Sequence, residues 1–243
     1  MKQEILQIQQ NEKIAKDVYK MVLSGQLSAV TKPGQFINIK LDGFFLRRPI
    51  SVCDCTDVLT ILYKTVGHGT EAMSRMCAGQ MLDVLLGLGN GYSLSECGQT
   101  PLLIGGGVGV PPLYMLCRLL VQAGKAPIVI LGFNTADEVF YQKEFEALGA
   151  RTYVTTVDGS VGIRGFVTDA FSQIEEYTYF YTCGPEPMLK AVYQKTNTSG
   201  QFSFEERMGC GFGACMGCSC KTKYGNKRIC KDGPVLIKEE ILW

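Results

Sequence analysis

Hydrophobic and polar residues alternate in short runs through the first hundred positions of the chain, and turn residues break the runs. Apolar and β-branched residues recur over 4–9, 18–23, 35–40, 50–53, 59–63 and 81–86, with breaks such as Lys32-Pro33-Gly34 and Leu41-Asp42-Gly43 between them. A period of two puts successive side chains on opposite faces of a strand. Six such strands at fairly regular spacing predict an antiparallel barrel or sandwich. From Pro101 the pattern changes. A buried strand at 101–105 and further strands at 128–133, 151–156 and 179–183 alternate with helical segments at 111–123 and 136–148, and 167–171 reads as part of another helix. Strands separated by helices predict a doubly wound parallel α/β sheet. A polar stretch at 197–200 then leads into a cysteine-rich tail. The expected units are an N-terminal antiparallel β-barrel over 1–98, a central α/β doubly wound parallel sheet over 99–200, and a small C-terminal domain with a β-hairpin over 201–243.

The tail carries the most specific chemistry. Cys210, Cys215 and Cys218 are spaced C-x4-C-x2-C, and Cys230 follows after eleven further residues. This is the plant-type spacing for a [2Fe–2S] cluster, which needs four thiolates converging on two irons. Three of them must come from one tight loop, and Gly209, Gly211, Gly213 and Gly217 give that loop its freedom and let backbone N–H groups approach the sulfurs. Residues 220–229 read as two short strands about a Gly225-Asn226 turn, folding Cys230 back toward the loop. The final gap is shorter than in plant-type ferredoxins, so Cys220 competes with Cys230 for the place of fourth ligand. A structural zinc site is the alternative, although such sites usually pair two C-x2-C knuckles and only Cys215 and Cys218 form one here.

Composition narrows the setting. The chain has 243 residues, 46% hydrophobic and 19% charged, with a net charge of +1. That is an ordinary globular composition, and no global field favours nucleic acid or a membrane. No charged segment followed by an apolar one opens the chain, no apolar run approaches the roughly 20 residues that span a bilayer, and the cysteines outside the tail are scattered. The expected compartment is reducing and cytoplasmic. Lys221, Lys223, Lys227, Arg228 and Lys231 cluster near the tail cysteines, either as a solvated hairpin face or as a docking patch for an acidic partner.

Two further regions suit nucleotides. Gly105, Gly106, Gly107 and Gly109 lie where the first α/β strand passes into its helix, a place where bare backbone and the helix start favour a pyrophosphate. The match to G-x-G-x-x-G is imperfect, with Val110 in place of a glycine and Asn134 in place of an acidic residue after the second strand. Cys183-Gly184-Pro185 forms a second strand-to-helix turn, and in a parallel sheet both turns emerge at the carboxyl ends of strands. In the barrel, Arg48 could fork onto a phosphate while Ser51 reaches a flavin ring. Leu62-Tyr63-Lys64 precedes Gly69-Thr70, where Thr70 is expected to cap a helix over 71–77 and Tyr63 to offer its ring or phenol to the flavin. His68, the only histidine, sits between glycines as a solvated residue, and no nucleophile elbow accompanies it, which argues against a hydrolase.

The order Arg48-Pro49-Ile50-Ser51, Gly69-Thr70, Gly105 to Gly109, Cys183-Gly184-Pro185 and then four cysteines resembles the ferredoxin–NADP⁺ reductase superfamily. Within it, the chain is most similar to the electron-transfer subunits of dihydroorotate dehydrogenase B. The likeness includes Leu88-Gly89-Asn90-Gly91 and Asp158-Gly159-Ser160-Val161-Gly162. The resemblance implies FAD on Arg48, Pro49, Ile50, Ser51, Leu62, Tyr63, Lys64, Gly69 and Thr70. It implies NAD across Gly105, Gly106, Gly107, Gly109, Cys183, Gly184 and Pro185, and the cluster on Cys210, Cys215, Cys218 and Cys230. It also implies a catalytic subunit containing FMN, in an assembly with two subunits of each kind, feeding electrons from dihydroorotate to NAD in pyrimidine synthesis. The flavin subunit of an NADH-dependent ferredoxin:NADP⁺ or sulfide oxidoreductase shares this domain order and is the alternative. Metal analysis and a visible spectrum of the purified protein are expected to show iron, labile sulfide and flavin absorbance. A colourless zinc protein would end the redox reading.

Overall fold

In a computed structural model describing residues 1–243, the alternating N-terminal runs close into a six-stranded antiparallel barrel. Its elements are β1 (Lys2–Ala15), β2 (Val18–Ser24), β3 (Phe36–Ile39), β4 (Arg48–Cys55), β5 (Leu59–Lys64), the short helix α1 (His68–Ser74) and β6 (Met81–Leu88). Around the barrel the order is β1-β2-β5-β4-β3-β6. Strand β1 is longer than the apolar run at 4–9 because its first half pairs with β6 and its second half with β2. Ile37, Ile39, Val52 and Ile61 fill the barrel with Leu6, Ile8 and Met21. Period two therefore turns Phe36 and Asn38 outward, opposite Ser51 and Pro49 in the β3–β4 register.

The second half contains β7 (Pro101–Gly106), α2 (Pro111–Gln122), β8 (Ile128–Phe133), α3 (Gln142–Ala147), β9 (Arg151–Thr156), β10 (Ile163–Arg164), β11 (Tyr179–Cys183), α4 (Glu186–Lys195) and β12 (Gly200–Ser203), then β13 (Ser219–Thr222), β14 (Gly225–Arg228) and β15 (Val235–Ile237). Seven of these strands form one sheet in the order β10-β9-β8-β7-β11-β12-β15, parallel except for β15. Its faces bury separate cores. Leu103, Val129 and Leu131 meet α2 and α3 on one side, and Leu102, Ile104 and Ile130 meet Leu189 and Val192 of α4 on the other. Every position of β7 is buried, which is why its sequence is continuously apolar.

The helix expected over 136–148 is interrupted. A single 3₁₀ turn at Ala136–Glu138 precedes α3, and between them Tyr141 takes a left-handed conformation with φ 65°. Phe140 packs 5.2 Å from Phe133 and Tyr141 5.1 Å from Tyr114, centroid to centroid, so burial of two aromatic rings outweighs continuation of the helix. The segment at 167–171 lies within a 3₁₀ helix, Val167–Gln173.

The cysteine segment is held by the same sheet. Strands β12 and β15 extend it, and residues 204–234 loop out between them. Asn90, at the barrel exit, donates to the carbonyls of Val235 at 2.7 Å and Asp232 at 3.2 Å, tying this segment to the barrel. The β13–β14 hairpin turns at Lys223-Tyr224, not at Gly225-Asn226: Thr222 pairs with Gly225, and its hydroxyl donates to the Gly225 carbonyl at 2.7 Å and accepts from the Tyr224 N–H. No helix is long and apolar enough to cross a membrane.

The barrel and the sheet meet where α2 lies against β4. Arg118 Nε and Nη2 donate to Asp54 Oδ1 at 3.1 and 2.6 Å, with both side chains 19% exposed. Asp54→Asn is expected to lower the free energy of unfolding by about 1–3 kcal/mol, since it weakens charge-assisted bonds at a partly buried site. Chemical denaturation reads this directly, and an unchanged midpoint would mean that the pair adds nothing to the junction.

Candidate functional site

The β13–β14 hairpin brings its two ends together. Ile229 N–H donates to the Cys218 carbonyl at 3.0 Å, and this sets the Cys218 and Cys230 sulfurs 3.2 Å apart, both residues 2% exposed. The other two cysteines face each other across the glycine loop. Cys210 N–H donates to Cys215 Sγ at 3.5 Å, while the N–H groups of Ala214 and Cys215 donate to Cys210 Sγ at 3.2 and 3.5 Å. The thiols thus fall into two pairs, with no three of them gathered about a single point. A binuclear cluster takes two thiolates on each iron, and two pairs of cysteine sulfurs fit that donor set. Burial works against ionisation of Cys210, but the N–H groups of Phe212, Cys215 and Ala214 outweigh it and bring the thiol down to about 6. Burial and the adjoining Cys218 sulfur push Cys230 up to about 12. Cys220 stands apart. Its thiol donates to the Lys221 carbonyl, and burial together with Glu206, Glu186 and Glu240 raises its pKa.

The flavin motifs, distant in sequence, meet at one edge of the barrel. Arg48 begins β4, its guanidinium stacked 4.9 Å over the Phe44 ring and donating to the Leu46 carbonyl. Gly69 lies directly against that guanidinium, and a Cβ there would collide with Arg48 Nε. Pro49, Ile50 and Ser51 follow along β4, each half-buried. Thr70 is not the helix cap that the sequence suggests, because α1 begins at His68 and places Thr70 in its first turn. Its buried hydroxyl still serves the helix start, accepting from Val66 N–H at 2.9 Å and donating to the Gly67 carbonyl at 3.0 Å. Tyr63 is used differently from expectation. The residue is 2% exposed, its ring stacks on Tyr19, and its hydroxyl donates to Asn11 Oδ1 at 2.8 Å, so neither ring nor phenol is free for a ligand. Leu62 is likewise buried, whereas Lys64 reaches out to Glu138 at 3.3 Å. His68 is solvent-exposed.

The two glycine-rich turns of the parallel sheet lie back to back. Gly106, Gly107, Gly109, Gly184 and Pro185 line a cleft of about 520 Å³ at the carboxyl ends of the strands, while Gly105, inside β7, and Cys183, at the end of β11, lie behind it. Gly109 sits so close to the Cys183 carbonyl that a Cβ would collide with it, so backbone meets backbone there. Burial raises the Cys183 thiol to about 12, with the Ser203 hydroxyl partly opposing. Two cleft features were not legible in the sequence. Thr155 is fully buried with its hydroxyl unpartnered, and Glu138 folds back to accept from the main chain and side chain of Asn134 at 3.1 and 2.8 Å. An orphaned hydroxyl and a carboxylate at the ends of β9 and β8 suit the polar groups of a dinucleotide.

The barrel fixes the relation of the three places. Strand β4, with the Arg48 motif, lies between β3 and β5. On one side Asn38 of β3 donates through Nδ2 to the Cys210 carbonyl at 3.3 Å, and on the other Lys64 of β5 lines the nucleotide cleft.

Comparison with known proteins identifies the family. Residues 205–242 match the family model for the iron-sulfur cluster binding domain of dihydroorotate dehydrogenase B, and 103–194 match the oxidoreductase NAD-binding domain. The dihydroorotate dehydrogenase B (NAD(+)) electron transfer subunit of Fusobacterium nucleatum is 44% identical, aligned over 99% of each chain. That of Bacillus cereus strain B4264 is also 44% identical, over 99% of this chain and 98% of its own. Among solved structures, the NADH-dependent reduced ferredoxin-NADP oxidoreductase superposes with a TM-score of 0.89 at 31% identity, covering 98% of this chain and 90% of that one. A Neisseria gonorrhoeae ferredoxin NADP+ reductase with bound FAD and NADP superposes at 0.68 with 19% identity, covering 80% and 90%, and shows the shared fold alone. With a barrel, a parallel sheet and a cluster segment in this order, and relatives that match it end to end, the chain belongs to the family of dihydroorotate dehydrogenase B electron transfer subunits, built on the ferredoxin–NADP⁺ reductase fold.

Proposed function

We propose that this oxidoreductase subunit passes electrons from a dihydroorotate dehydrogenase catalytic subunit through a [2Fe–2S] cluster and FAD to NAD⁺, in pyrimidine synthesis. The observation that carries this reading is the barrel strand order, which places the flavin motif on β4 between a strand touching the cluster loop and a strand lining the nucleotide cleft. When bound, the flavin supplies the exchange between single-electron and hydride chemistry, so no side-chain acid or base is required.

The chain's own residues bind, orient and shield. Cys210 and Cys215 would hold one iron, Cys218 and Cys230 the other. Arg48 would take a flavin phosphate beside Gly69 and Thr70, with Pro49, Ile50, Ser51, Leu62, Tyr63 and Lys64 along the rest of the molecule. Gly105, Gly106, Gly107 and Gly109 would receive the NAD pyrophosphate, with Cys183, Gly184 and Pro185 next to it. A carboxylate, Glu138, at the end of β8 in place of an arginine favours NAD over NADP. The division at 98 and 200 assigns one cofactor to each part, although β12 and β15 carry the nucleotide sheet across the second boundary.

The partner is a catalytic subunit containing FMN, two copies pairing with two of this chain. Cys215 is exposed, and Phe212 and Met216 beside it are 43% and 54% exposed, so the open side of the cluster loop is the natural face for that partner. A cytoplasmic setting suits a chain whose function requires reduced thiols.

Cys230→Ser is expected to abolish the paramagnetic signal of the dithionite-reduced cluster, while Cys220→Ser leaves it intact; the reverse result would reassign the fourth ligand. The 31% identity to a bifurcating oxidoreductase keeps a second reading in view, and purification of the native complex separates the two. Recovery of an FMN protein whose flavin is reduced by dihydroorotate is the expected outcome, whereas a large ferredoxin-like partner would refute it.

A further inference from the structure

Asn38 belongs to none of the cofactor motifs, yet it is 1% exposed on the outer face of the barrel, beside Pro49 of β4. Its main chain and side chain are used in opposite directions. Arg47 Nη1 donates to the Asn38 carbonyl at 3.3 Å while Nη2 of the same arginine pairs with Asp83 at 2.9 Å, so the residue before Arg48 clamps β3. The Asn38 side chain points the other way and donates to the carbonyl of Cys210. That cysteine's sulfur is in turn held by the N–H groups of Ala214 and Cys215.

Two observations mark the amide as more than packing. Gly211, at φ 77°, approaches Asn38 Nδ2 so closely that a Cβ at 211 would collide with it. The loop therefore rests on this side chain. Asn38 Oδ1 is buried without a donor. A buried unpaired carbonyl is unfavourable, and an apolar side chain of similar size would avoid it, so stability alone does not explain an asparagine here.

The geometry points to Asn38 as a positioning residue for electron transfer: by fixing the Cys210 peptide against the flavin-bearing strands, it sets the orientation of one cluster ligand and the separation of the cluster from the flavin. This rests on the electron-transfer reading above. Partners of this kind, one step removed from a metal, orient its ligands and tune its potential.

The test uses the full-length chain with its cofactors. Asn38→Asp keeps the shape but replaces the donor, and Asn38→Ala removes the amide. Both are expected to retain wild-type iron, sulfide and flavin content and a wild-type rate of NADH oxidation with ferricyanide, which takes electrons from the flavin. In both, the spectrum of the reduced cluster should change, and reduction of the cluster by NADH in stopped flow should slow about tenfold or more. Wild-type spectra and rates in both variants would overturn the proposal. So would joint loss of cluster and flavin, which would make Asn38 a folding contact only. A wild-type chain that shows no reduced-cluster signal would instead sink the electron-transfer reading itself.

Discussion

Strand β4 has one hydrogen-bonded neighbour on each side, and those neighbours face different parts of the molecule. Through β3 it adjoins the cysteine loop, and through β5 it adjoins the nucleotide cleft. Backbone ladders of this kind are rigid, because each strand is held by regular hydrogen bonds and by side chains locked into the barrel core. Groups bound along β4 are therefore held in fixed relation to both, without a hinge. For a molecule that moves charge between cofactors this is the governing constraint, since positional error of even an ångström is expensive in rate.

The cysteine segment meets the constraint by not being an independent unit. Its two flanking strands extend the nucleotide sheet, and Cys218 and Cys230 are buried in the same core as Phe36 and Leu88 of the barrel and Phe202 of β12. Cys210 and Cys215 lie at the other end of the loop, where Phe212 and Met216 are open to solvent. One pair of sulfurs is thus anchored in the protein and the other faces outward.

Close backbone approach is the second recurring device. At Gly69 and Gly109 the absent Cβ lets a guanidinium or a neighbouring carbonyl come into contact, and each contact joins two motifs far apart in the chain. Such glycines also leave main-chain N–H groups accessible to phosphate. The same residues therefore make the tertiary junction and keep the backbone bare beside it.

Most of the fold was legible in the chain because it depends on local periodicity. Short apolar and β-branched runs marked all six barrel strands, and the strand pattern marked β7, β8, β9 and β11 nearly to the residue. The cysteine spacing, the glycine turns and Arg48 were equally visible, since each is a local requirement of residue type. What stayed hidden depended on long-range packing. The break before α3 is decided by packing on Phe133 of β8 and on Tyr114 of α2, and the use of Tyr63 is decided by Asn11 on another strand. Whether Cys220 or Cys230 stands beside Cys218 follows from the hairpin register, which Thr222 sets through its turn. Asn38 looked like one polar residue in an apolar strand, and only the arrival of Gly211 and Cys210 against it gives it meaning. The chain by itself determined which elements form and which chemistry they carry, because those are set by neighbours in sequence. The tertiary structure alone decided which of them touch, because contact across 172 positions is a matter of packing that no local pattern encodes.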